Sequence, residues 1–135
     1  MKYLVDANLL CEPTKPQSVQ KAVDWLQANV LECVTDAVVM GEIWHGIRKM
    51  PEGQRRANLE LWFMGLRSRV FCLDWTLDVA LVWGGLLNEI RDSGFTVGIK
   101  DTMIAASARY HGLTVATRNV ADFVHCGVDV INPFE

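Results

Sequence analysis

Lys100-Asp101-Thr102-Met103-Ile104-Ala105-Ala106-Ser107-Ala108, followed by Leu113-Thr114-Val115-Ala116 and Thr117-Arg118-Asn119-Val120-Ala121-Asp122-Phe123, decides how this chain is read. The first stretch sets an acid at the opening of a helix of small residues. The rest runs from an apolar strand into a polar turn that carries a second acid. In an open parallel sheet, ligands gather outside the carboxyl ends of the strands. Acids delivered there from separate segments share one pocket.

Working outward, Tyr3-Leu4-Val5 is a short apolar run that opens onto Asp6-Ala7-Asn8, a strand ending in an acid and an amide. Val39, Ile43 and Ile47 lie at helical spacing and bring Glu42 with them, after a cap at Thr35 or Asp36. Gly41 and Gly46 flank Glu42. Each costs a helix about 1 kcal/mol, so another group is expected to approach there closely. Further strands are expected at 31–34, 70–73, 113–116 and 128–131. Helical stripes occur at Val19, Ala22, Val23, Leu26 and Val30, at Leu59, Trp62, Phe63 and Leu66, and at Ala80, Trp83, Leu87 and Ile90. Strands alternating with helices specify an α/β fold of three layers, α/β/α, with a parallel sheet of about five strands. Residues 1–135 read as one domain without linker or repeat.

The bulk properties narrow the classes. Half of the 135 residues are apolar and 21% are charged, which fits a folded globule. The net charge of −3 gives no broad basic field for nucleic acid, although a bound cation would reverse the local sign. Cys11, Cys33, Cys72 and Cys126 form no Cys-x-x-Cys pair, which argues against zinc. No stretch approaches the roughly 20 apolar residues needed to cross a bilayer, so no membrane association is expected. A reduced, cytoplasmic protein is expected.

Asp6, Glu42, Asp101 and Asp122 supply only hard oxygen ligands, the kind Mg²⁺ and Mn²⁺ prefer. Four clustered carboxylates repel one another and resist full ionisation without a cation. An ion held there activates water and offsets charge on a phosphodiester. Taken singly, Asp101 reads more readily as a helix cap and Asp122 as a turn acid. Their joint position at the strand ends carries the assignment.

These same stretches, Asp6-Ala7-Asn8, Glu42, Asp101 to Ala106 and Thr117 to Phe123, resemble a PIN domain. More closely they resemble the VapC/FitB-type toxins of bacterial toxin–antitoxin pairs, from Tyr3 to the closing Asn132-Pro133-Phe134-Glu135. The resemblance implies a Mg²⁺- or Mn²⁺-dependent endoribonuclease acting on RNA, a homodimer, and a small DNA-binding antitoxin that blocks the site. It implies catalytic and metal-binding roles for Asp6, Glu42, Asp101 and Asp122. It makes Asn8, Thr117 and Asn119 auxiliary polar groups, and assigns Arg118 to structure or phosphate binding. Ala7 departs from the pattern, since relatives commonly carry a hydroxyl residue there.

Other features have plainer readings. Trp25, Trp44, Trp62 and Trp83 sit among apolar neighbours and read as packing residues, with Trp75 beside a strand end the one candidate for stacking. The helices around Trp44, Trp62 and Phe63 offer apolar surface for an antitoxin helix. Alternatives stay open at this level: a phosphoryl-transfer domain using Asp6 as nucleophile, a receiver-like domain, or a catalytically silent binding module.

Overall fold

The computed structural model describes all residues 1–135. Five parallel strands form one sheet: β1 (Tyr3–Val5), β2 (Cys33–Asp36), β3 (Cys72–Leu73), β4 (Thr114–Ala116) and β5 (Val130–Ile131). Six helices flank it: α1 (Ala7–Leu10), α2 (Gln20–Ala28), α3 (Ala37–Arg48), α4 (Gln54–Arg69), α5 (Leu77–Ser93) and α6 (Ile99–His111). This is the three-layer α/β/α arrangement expected from the alternation of elements.

Strand order is β3-β2-β1-β4-β5. The chain therefore builds outward from β1 to one edge, then returns to the other side of β1. That reversal leaves a crevice at the carboxyl ends of β1 and β4. Tyr3, Leu4 and Val5 pair with Thr114, Val115 and Ala116, so Asp6 and Thr117 emerge side by side. On the other flank Leu4 pairs with Val34, which brings Asp36 to the same edge. Leu4, Val5, Val34, Val115 and Ala116 are buried, as a parallel sheet covered on both faces requires.

Every strand after β1 begins later than the apolar pattern indicates, β2, β3 and β5 by two residues and β4 by one. Val30–Glu32 closes a 3₁₀ turn instead of starting β2, leaving Leu31 almost fully exposed. Thr76 caps α5 by accepting from Val79 N–H at 3.3 Å, and Gly94 ends it in the left-handed conformation. In α6 the small residues Ala105, Ala106, Ser107 and Ala108 are all buried. The lack of bulk there lets α6 pack closely on both the sheet and α5.

Glu12, on the 3₁₀ turn Glu12–Thr14 that follows α1, is only 1% exposed. It accepts from Val19 N–H at 2.9 Å and pairs with Lys15 at 3.1 Å, fastening the 12–19 loop that leads into α2. Burial alone would raise its carboxyl; the Val19 N–H and the Lys15 ammonium outweigh it and hold the group below the usual range. Such a carboxylate stabilises the fold above the unfolded-state pKa and stops doing so as pH falls through the lower folded value. Glu12→Ala should therefore cost roughly 2–3 kcal/mol near neutral pH, measured by urea unfolding. The cost should shrink toward pH 3, and an unchanged midpoint at pH 7 would exclude this role.

Candidate active site

Asp6 is the N-cap of α1 and is buried. Its Oδ1 accepts from Ala7 N–H at 2.8 Å, while Oδ2 accepts from Thr117 Oγ1 at 2.8 Å and from Asn8 Nδ2 at 3.1 Å. Thr117 Oγ1 in turn accepts from Asn8 Nδ2 at 3.0 Å and from Asn119 N–H at 3.1 Å. One donor and two acceptor positions exhaust a hydroxyl, so Thr117 has no freedom left. Asn8 Oδ1 completes the lattice by accepting from Arg118 N–H at 2.9 Å. At Ala7 the backbone N–H, rather than a side-chain hydroxyl, makes the contact with Asp6.

Asp6 forms the floor of a cavity of about 390 Å³ whose wall includes Glu42, Lys100, Asp101, Asn119 and Asp122. All four acids singled out in the sequence therefore line one space. Glu42 reaches it from α3, Asp101 from the first turn of α6, and Asp122 from the 3₁₀ turn Val120–Asp122. Asp101 is not a cap: Gly98 holds that position and α6 begins at Ile99. Gly98 also leaves room for the acid, since a Cβ there would lie 3.3 Å from Asp101 Oδ2. Burial, and then the Asp122 carboxylate, push the Asp101 carboxyl up to about 6.

Lys100, quoted in the sequence without a role, forms an ion pair with Glu42 Oε1 at 2.5 Å. Glu42 Oε2 is buried and has no hydrogen-bond partner. Hydrogen bonding to Glu42 raises the Lys100 ammonium further above its ordinary value. Arg118 lies outside the cavity, its guanidinium 4.3 Å above the Phe134 ring. Gly41 and Gly46 have no neighbour where a Cβ would stand, so the expected close approach is absent within this chain.

The donor set fits a divalent cation. Every acid on the cavity wall offers carboxylate oxygen, one of those oxygens is unpartnered, and Asp101 is pushed toward protonation by burial and then by the neighbouring Asp122 carboxylate. In the rotamers present, no three of the acids converge closely enough to cage an ion. Glu42 is instead turned to Lys100. Cys11 also lines the cavity, but burial and then Glu42 push its thiol up to about 11, so it offers no thiolate. Apolar residues Ile43, Ile47, Met50, Leu59 and Trp62 extend the cavity away from the acids. Trp44 and Phe63 belong to a different hollow on the α3–α4 surface, where their rings lie 5.0 Å apart.

A parallel sheet with an acid-lined cavity at its switch point defines a class, and comparison with known proteins gives the same one. The model of the PIN domain matches residues 3–125, and the chain belongs to that family. Within it the chain is one of the VapC/FitB-type toxins. It is 36% identical to the plasmid stability protein StbB of Pseudomonas syringae pv. tomato, over 98% of both chains. It is 32% identical to the VapC ribonuclease Y4jK of Sinorhizobium fredii, covering 98% of this chain and 97% of that one. The structure of FitAB bound to a DNA fragment superposes with a TM-score of 0.86 at 28% identity, covering 98% and 96% of the two chains.

Two polar groups near the site were not legible in the sequence as a pair. Asp36 caps α3 by accepting from Val39 N–H at 2.8 Å, yet its Oδ2 is buried without a partner, as is Ser107 Oγ on α6. Burial pushes the Asp36 carboxyl up to about 6 despite the Val39 N–H. The folded protein thus binds this proton more tightly than the unfolded chain. The burden on stability is complete above about pH 6 and is relieved as pH falls toward 3.8. Asp36→Asn keeps a good cap and removes the charge. It should raise stability at pH 7.5 by on the order of 1–2 kcal/mol, with the gain gone at pH 4. Equal effects at both pH values would show that Asp36 does not titrate in this window.

Proposed function

We propose that residues 1–135 form one PIN domain acting as a Mg²⁺- or Mn²⁺-dependent endoribonuclease, the toxin of a toxin–antitoxin pair. The observation that carries this reading is the convergence of Asp6, Glu42, Asp101 and Asp122 on one cavity from four separate segments. Ribonucleases among its relatives support RNA as substrate. No helix is long and apolar enough to cross a membrane; we place the activity in the cytoplasm because the substrate is cellular RNA.

Asp6, Glu42 and Asp101 would hold the first ion, and Asp122 would assist a second ion or orient the attacking water. Bound there, the metal supplies Lewis-acid activation of water and neutralises charge at the scissile phosphate. Asp6 acts as a fixed ligand because Ala7 N–H, Asn8 and Thr117 hold both its oxygens. Asn8 and Thr117 are its positioning groups, and Asn119 orders the turn that presents Asp122. Arg118 serves structure by tying the 117–119 turn to Phe134. The antitoxin would enter the apolar arm of the cavity at Ile43, Ile47, Met50, Leu59 and Trp62, an amphipathic segment being the fitting chemistry. Relatives solved as FitAB and VapBC assemblies with DNA support a DNA-binding antitoxin as partner. A homodimer is the expected assembly.

Partner-free protein should cut cellular RNA into discrete fragments with Mn²⁺ or Mg²⁺, and not with EDTA. Asp6→Asn should fold normally and lose cleavage by about 10²-fold or more. Full activity in that variant would remove Asp6 from the machinery. Saturating Mn²⁺ should also raise the melting temperature, by the equivalent of about 2.7 kcal/mol at a hundredfold excess over Kd. The rise should be absent from Asp101→Asn; an equal rise in both would locate the ion elsewhere.

A further inference from the structure

Lys100 is the only cationic residue on the wall of the acid-lined cavity. It occupies the second position of α6, where a positive charge opposes the helix dipole instead of complementing it. Residues that break such a local rule tend to be found where function demands it. Its pairing does little for the fold, because an ion pair this open to solvent contributes little to stability. What the pairing does control is Glu42. With Oε1 turned to Lys100, Glu42 has only its buried, unpartnered Oε2 left to offer a cation.

We propose that Lys100 is the cavity's resident counter-ion: it holds Glu42 in the metal-free protein, yields it to an incoming divalent cation, and then binds a phosphate of the RNA. This inference rests on the metal-nuclease reading above. The ammonium sits on a flexible four-carbon stem rooted beside Asp101, and its side chain is 49% exposed, so it stays within the cavity mouth after release. The acids that first drew it are then neutralised by the ion, and the phosphodiester becomes the strongest anion within its reach. Competition with metal and recruitment of substrate are thus two positions of one side chain.

The two positions predict opposite effects of one substitution. Mn²⁺ binding, titrated calorimetrically without RNA, should be about two- to fivefold tighter in Lys100→Met, as removal of an exposed competing pair implies. Lys100→Arg, which keeps the charge, should stay near wild type. Binding of a cleavage-resistant phosphorothioate RNA in Mn²⁺ should weaken in Lys100→Met, and its salt slope should fall by about 0.7, the loss of one phosphate contact. Metal-free melting temperatures should agree within a few degrees, excluding a fold defect. Unchanged or weaker Mn²⁺ binding in Lys100→Met, with Asp101→Asn unable to bind, would overturn this inference and leave the metal site standing. An unchanged salt slope would overturn it equally. A wild-type protein that binds no Mn²⁺ would overturn the metal reading and this inference with it.

Discussion

Three residues, Tyr3 to Val5, are hydrogen-bonded on both sides, and the rest of the molecule depends on that placement. Because β1 is central, the chain builds outward from it on one side and returns to build on the other, and the crevice opens where the two halves part. Asp6 is the first residue past the strand and cannot avoid that crevice. Its neighbours across the sheet, Thr117 and Asp36, arrive by register alone. A slip of one residue would turn every side chain of β1 to the opposite face, and the site would vanish with the core.

Around that strand, the site is assembled from segments distant in sequence, yet each acid is held differently. Asp6 is locked by neutral donors on all sides. Glu42 is steered by a charge, Asp101 by the open space above Gly98, and Asp122 by a short turn. Restraint is therefore graded across the cavity, from Asp6 with both oxygens hydrogen-bonded to a Glu42 with one oxygen free. That grading suits a centre which must admit an ion and then a polymer.

The legible features were those with a local cause. Tyr3-Leu4-Val5 reads as a strand because it is apolar and abruptly terminated, and Val39, Ile43 and Ile47 announce a helix by spacing. Asp101 was open to misreading as a cap because capping depends on where the helix starts, and Gly98, not an acid, holds the start. Leu31 invited a strand that the backbone begins two residues later. Glu12, Asp36 and Ser107 are buried by long-range packing, which no residue spacing encodes. Lys100 left a faint local trace, a base in the first turn of a helix, that the helix itself does not explain.

The cavity's remaining ionisable neighbour carries a different consequence. Burial keeps Cys11 protonated across the neutral range, and raises Cys33, Cys72 and Cys126 as well. Oxidants attack thiolates, not thiols. Raised in this way, the four thiols are poor nucleophiles toward peroxide near neutral pH. Control of this cavity through oxidation of its one cysteine is correspondingly disfavoured, leaving charge and shape as the stronger handles on it.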